Sequence, residues 1–157
     1  MKLTDLAGEI CKIFLPIRED VFYGNSASHI AVCTLSSMDL LREISNSELL
    51  SKVAVAGRLL SENKGIDALL SFVTNSLTIR TLIVCGREVP GHLAGHSLIA
   101  LYKYGVDKNN RIVASHSPEP VLESTSSQIE QFQKQITLVD KIGETDIEKL
   151  KQLIDSL

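Results

Sequence analysis

Three short apolar runs constrain this chain more than any other feature. His29-Ile-Ala-Val-Cys-Thr-Leu35, Lys52-Val-Ala-Val-Ala-Gly57 and Thr81-Leu-Ile-Val-Cys-Gly86 are rich in β-branched and small residues, and each ends in a glycine or turn signal. Runs this continuous suit strands buried on both faces, as in a parallel sheet covered by helices. Between the second and third, Ile66, Leu69, Leu70 and Val73 fall at i, i+3, i+4 and i+7, one stripe of a 3.6-residue period. Strand, helix and strand therefore make one βαβ unit. A second helix is expected over about 93–104, closed by Gly105, and Arg111-Ile-Val-Ala-Ser115 reads as a fourth strand. Ser127-x-x-Glu130 and Thr145-x-x-Glu148 have the form of capping boxes. The first opens a helix with Ile129, Phe132 and Ile136 on one face, and the second a final helix over 144–157 that buries Ile147, Leu150, Ile154 and Leu157. Residues 137–140 between them read as a short strand, with continuation of the helix as the alternative. Leu3, Leu6, Ile10 and Ile13 predict an N-terminal helix, and 14–28 an irregular lead-in. The expected fold is α/β: a single Rossmann-like domain over 1–157, with a mostly parallel sheet of about five strands and helices on both faces.

Composition narrows the function classes. A chain of 157 residues needs neither disulfide nor structural metal to bury a core. Cys11, Cys33 and Cys85 are odd in number and form no CxxC pair, which points to reduced thiols and away from a zinc knuckle. A net charge of −3, no Trp and 4% aromatic residues leave little for phosphate neutralisation or base stacking, so nucleic acid is not an expected partner. No apolar run approaches the roughly 18 residues of a membrane span. The N-terminal apolar positions are broken by charges, unlike a signal peptide. A soluble, cytoplasmic domain is expected.

Open α/β sheets bind ligands beyond the carboxyl ends of their strands, which directs attention to the loops at 35–39, 57–63, 86–92 and 115–123. The densest is Gly86-Arg-Glu-Val-Pro-Gly-His92-Leu-Ala-Gly95-His96, with three of the nine glycines and two of the four histidines. A histidine at a helix N-terminus is favoured in its neutral form, the form a metal requires. In the plainest reading His92 caps the helix and His96 lies on its surface. A zinc reading pairs His92 with His96 and draws a third ligand from His29, His116 or Glu88, but lacks the glutamate of HExxH. A dinucleotide fingerprint is absent, since Gly57-Arg-Leu-Leu-Ser supplies no GxGxxG. A third reading is a corrin, because His92-Leu-Ala-Gly95 is the HxxG half of the DxHxxG pattern of many cobalamin-binding domains, with Pro90 in the Asp position.

Taken together, Ala56-Gly-Arg-Leu-Leu-Ser61-Glu62-Asn63-Lys-Gly65-Ile66, Leu82-Ile-Val-Cys-Gly86-x-Glu88-Val-x-Gly91-His92-x-x-Gly95 and Leu138-Val-Asp140 resemble the A-subunit family of tetrahydromethanopterin S-methyltransferase, the corrinoid carrier of methanogenic archaea. The resemblance runs over about residues 20–150. It implies a domain that holds a cobamide (cobalamin) and relays a methyl group through its cobalt. The group passes from methyl-tetrahydromethanopterin to coenzyme M, within a membrane complex that exports sodium ions. Those two substrates would meet this chain only indirectly, through the other methyltransferase subunits. An alternative is a soluble corrinoid storage or sensing module without methyl transfer. This chain ends on an amphipathic helix where complex members carry a membrane helix. It also has Ala114-Ser-His-Ser-Pro-Glu-Pro120 in place of a glycine-containing loop, and His96 in place of a glutamine.

The family's cobalt-ligating histidine maps onto His92, which makes His92 the candidate metal ligand and catalytic residue, in preference to His96. With Pro90 in the Asp position, the second ring nitrogen needs another partner, such as Glu88, a backbone carbonyl or water. The cofactor-binding set is Leu35, Gly57, Leu60, Ser61, Glu62, Asn63, Gly86, Glu88, Val89, Pro90, Gly91, His92, Gly95, His96, Ser115 and Pro120. Taken alone, Asn63 is an ordinary helix cap and Glu62 an ordinary first-turn acid. Cys85 is expected to be buried and inert.

Overall fold

A computed structural model describes residues 21–157. The expected N-terminal helix over residues 1–13 and Cys11 lie outside them. Strand β2 (Ile30–Cys33) is buried at every position, and so is β4 (Thr81–Gly86). Their side chains alternate between two cores. Ala31, Cys33, Leu82 and Val84 face one side, while Ile30, Val32, Ile83 and Cys85 face the other. A strand with helices on both faces needs apolar residues at successive positions, which is why the sequence runs are unbroken.

The sheet has the order β1-β3-β2-β4-β5, where β3 is Val55–Gly57 and β5 is Thr137–Ile142. Strands β3, β2, β4 and β5 run parallel. Strand β1 (Val21–Tyr23) lies antiparallel to β3 at one edge, with Tyr23 opposite Val55. Part of the segment read as an irregular lead-in is therefore a strand. Three residues, two of them largely exposed, are too few to carry an alternating pattern.

Helix α2 (Lys64–Asn75) buries Ile66, Leu70 and Val73 on the first face, beside α3 (Ala94–Tyr104) and α4 (Ser126–Gln135). The opposite face is covered by α1 (Met38–Ser45), a 3-10 turn at Glu48–Lys52, and α5 (Ile147–Asp155). Gly105, at φ 71°, ends α3 where the sequence places the stop. The chain thus leaves β2 toward one face but leaves β3 and β4 toward the other. That divergence is the switch point at which open α/β sheets hold their ligands. Cys33 pairs with both Gly57 and Val84, so the strands end nearly level and their loops gather at one edge.

Three expectations need correction. Residues 111–115 form no strand of the sheet. Only single bridges, Val106 with Ile112 and Arg111 with Val121, involve them. Left-handed backbone at Asn110 (φ 58°) and Ala114 (φ 62°) brackets the stretch, and Val113 faces solvent. The position beside β4 goes instead to β5, the short strand expected at 137–140, which runs on to Ile142. Both capping boxes are misplaced. Thr125 caps α4 by accepting from the Gln128 amide at 3.2 Å, and Asp146 caps α5 by accepting from Glu148 at 2.9 Å. Thr125-x-x-Gln128 has the same capping-box form two residues earlier. Finally, Leu157 lies beyond the end of α5 and is 49% exposed, so it adds nothing to the buried stripe. Among the described residues no helix is long and apolar enough to cross a membrane.

Candidate functional site

The loops following β2 and β4 are tied together before any side chain is presented. Ser36 Oγ donates to the Arg87 carbonyl at 2.8 Å, and Ser37 Oγ accepts from the Arg87 amide at 2.8 Å. Gly86 has φ +77°, and a Cβ there would stand 2.2 Å from the Thr34 carbonyl oxygen, so only glycine allows the crossing. Leu35, fully buried and at φ 52°, supports the site from below and presents no surface to it.

Glu88 is committed to helix α3. Its Oε1 accepts from the amides of Val89 (2.8 Å) and Gly95 (2.9 Å), and Oε2 accepts from the His96 amide (2.8 Å). It thereby satisfies the first-turn donors that the preceding residue, Leu93, leaves uncapped. Gly95 lets the helix sit this close, since a Cβ would meet Leu35 Cδ1 at 2.8 Å and Glu88 Oε2 at 2.9 Å. Val89 is buried beneath. Beyond it Pro90, Gly91 and His92 are exposed. The carbonyl of Val89 accepts from the amides of His92 (3.2 Å) and Leu93 (3.0 Å), closing a tight turn. Gly91 at φ +77° has nothing within 4 Å of where a Cβ would project, and Leu93 takes φ 50°. A non-glycine residue held there costs about 1–2 kcal/mol, which the surrounding hydrogen bonds must offset.

His92 finds its partner in Glu62, not in Glu88, a carbonyl or water. Glu62 is 1% exposed, and its Oε2 lies 2.9 Å from His92 Nδ1. Its Oε1 accepts from the Glu119 amide at 3.1 Å. Burial pushes the Glu62 carboxyl up, but its own amide, the Glu119 amide and the His92 ring together hold it below its ordinary value. An ionised carboxylate only accepts hydrogen bonds. Nδ1 therefore carries a proton, and in the neutral ring the lone pair falls on Nε2, on a side chain that is 54% exposed. Glu62, expected among the cofactor-binding residues, is thus buried and holds the ring of His92.

The remaining candidates divide. Ser61 Oγ accepts from the Gly65 amide at 2.7 Å, and Asn63 caps α2 through Lys64 at 2.7 Å while its Nδ2 donates to the Glu119 carbonyl at 3.2 Å. Gly57 and Leu60 line an apolar cavity of about 340 Å3 between β3 and α2, shared with Tyr23 and Phe72. His96 stacks on His116, with ring centroids 4.7 Å apart, and its Nε2 is buried without a hydrogen bond. Ser115 joins Ser97 and Ser117 in a hydroxyl cluster, and Pro120 is buried with its carbonyl accepting from Ile112 at 2.8 Å. Ser97, Ser117 and the Glu119 amide are the site groups that sequence reasoning missed. Among the described residues no group of three or more His, Cys, Asp or Glu could hold a metal ion, which removes the zinc reading. A metal at His92 must bring its other ligands with it. Cys33 and Cys85 are buried beneath the loops. Burial pushes the Cys33 thiol up to about 12 and that of Cys85 higher, so neither is a nucleophile.

Residues 11–157 match the family model of the tetrahydromethanopterin S-methyltransferase A-subunit. The chain belongs to that family of methyltransferase components. It is 37% identical over 141 residues to the Mtx A-subunit of Methanosarcina acetivorans, by name a methyltransferase component, covering 89% of this chain and 68% of that protein. The tetrahydromethanopterin S-methyltransferase A-subunit of Methanosphaera stadtmanae is 33% identical over 87% of this chain and 53% of its own length. The first of two such A-subunits in Methanothermobacter thermautotrophicus is 34% identical over 86% of this chain and 56% of its own. The chain thus spans little more than half the length of these two S-methyltransferase relatives.

Proposed function

We propose that this chain is the cobamide-carrying component of a methyltransferase, relaying a methyl group from methyl-tetrahydromethanopterin to coenzyme M together with partner subunits in the cytoplasm. One observation carries the reading beyond family membership. His92 stands exposed at the carboxyl ends of a parallel sheet, with Nδ1 held by a buried carboxylate and, among the described residues, no metal-ligating cluster beside it. A lone oriented imidazole suits a metal whose equatorial ligands come from its own macrocycle. When bound, the cobamide supplies a cobalt centre able to take up and release a methyl group.

The chain's own residues divide the remaining work. His92 would hold the cobalt through Nε2, and Glu62, bound to Nδ1, favours the neutral tautomer that leaves Nε2 available. Gly91, with open space where a side chain would be, allows a flat ligand to approach the backbone. Glu88 contributes indirectly, by anchoring the helix that carries the turn. His96 is placed differently from His92, with its Nε2 buried beside His116 and not presented beyond the strand ends.

Mixing the purified protein with aquocobalamin and desalting the product tests the binding. One equivalent of retained corrin is expected, with weaker retention by His92→Ala, and no retention would contradict the reading. Tight binding without methyl turnover in the presence of partner subunits would favour storage or sensing.

A further inference from the structure

The carbonyl of His92 lies before helix α3, whose first carbonyl, that of Leu93, accepts from the Ser97 amide at 3.0 Å, while the His96 amide donates to Glu88 Oε2. The His92 carbonyl is met by Ser117 Oγ at 2.5 Å, which also lies 3.2 Å from the Leu93 carbonyl. Ser117 is 4% exposed, and its Oγ lies 2.5 Å from Ser97 Oγ, which is 2.6 Å from Ser115 Oγ. Each hydroxyl has one proton. Ser117 spends its proton on the carbonyl, so it must accept from Ser97, and Ser97 must accept from Ser115. Ser115 Oγ in turn accepts from the Ser117 amide at 3.1 Å. The chain of donors has one direction and ends on His92.

Two residues after Ser117, the Glu119 amide donates to Glu62 Oε1, and Glu62 Oε2 holds the ring of His92. Asn63 Nδ2 secures the Glu119 carbonyl at 3.2 Å. Pro118, between the two grips, has its φ fixed by its ring. We propose that residues 115–120 form a two-point brace for His92, with Ser117 as a positioning residue that holds its main chain while Glu119 and Glu62 hold its ring. The brace stabilises the left-handed Leu93 turn and keeps Nε2 on one trajectory. Its role in ligation rests on the cobamide reading, whereas its role in orienting the imidazole does not.

The test compares wild type, Ser117→Ala and Ser117→Thr, which retains the hydroxyl. Without cofactor, solvent exchange of the His92 Nδ1 proton is followed by NMR. Ser117→Ala should accelerate it about tenfold, the effect of losing one hydrogen bond of ordinary strength, and Ser117→Thr should restore it. With aquocobalamin, Ser117→Ala should retain the corrin while the fraction with protein imidazole at cobalt falls. Lowered thermal stability in Ser117→Ala with unchanged Nδ1 exchange would overturn the proposal, leaving Ser117 a structural serine. A wild type that binds no corrin would defeat the cobamide reading alone, because the exchange measurement still decides the brace.

Discussion

Replacing Glu62 by Gln isolates the chemistry of the orienting carboxylate with almost no change in shape. The carboxylate accepts two hydrogen bonds, from His92 Nδ1 and from the Glu119 amide. A glutamine has a single acceptor oxygen, so it keeps one and turns its NH2 toward the other. Facing His92, that NH2 can only donate, which moves the ring proton to Nε2 and removes the lone pair from the exposed nitrogen. Losing a charge-assisted bond costs about 1.5–3 kcal/mol when both partners are buried. Water around the 54% exposed His92 reduces this to about 1–2 kcal/mol. For a domain of this size that lowers Tm by about 2–8 °C. Calorimetry reads the stability, and long-range 15N correlation spectra of the histidine rings read the tautomer. Unchanged Tm together with a persistent Nδ1–H tautomer in Glu62→Gln would refute the assignment of Glu62 as the orienting group.

Other consequences are directly measurable. Because the Glu62 carboxyl is held below its ordinary value of 4.5 in the folded state, its contribution is complete above that range and declines as pH falls through the folded value. The stability advantage of wild type over Glu62→Gln in urea unfolding should therefore be full at pH 7 and vanish in strong acid. Cys33 and Cys85 should resist Ellman's reagent at pH 8 until the protein unfolds, given burial and the raised thiols. Gly95→Ala should cost about 1–3 kcal/mol by overpacking against Leu35 and Glu88, seen as a fall in Tm, whereas Gly91→Ala meets only the backbone strain of φ +77°.

How much of this was legible in the sequence depends on the range of the interaction. The buried central strands were readable because helices on both faces demand unbroken apolar runs, and α2 because its stripe has a helical period. The edge strand β1 was not, since three residues paired on one side carry no pattern. The strand expected at 111–115 failed because Ile112 is buried as part of an excursion and not of the sheet. At the site, the family resemblance together with the Gly91-His92-x-x-Gly95 context put His92 forward as the candidate. Its partner Glu62 lies 30 residues away and was named only as a cofactor-loop residue. Ser117 and Ser97, 20 apart, meet only through the packing of α3 under the loop. No local pattern distinguishes either from the other serines.

Ligation of a bound cobamide's cobalt by His92 is read by electron paramagnetic resonance of the cob(II)alamin complex, with protein labelled with 15N at histidine alone. In this state the unpaired electron points along the axial direction, and one axial nitrogen splits each cobalt line. Three components per line are expected with unlabelled protein, two with labelled protein, and loss of the label's effect in His92→Ala but not in His96→Ala. A splitting indifferent to the label would mean that the nitrogen belongs to the cofactor's own base, and would contradict the assignment of His92.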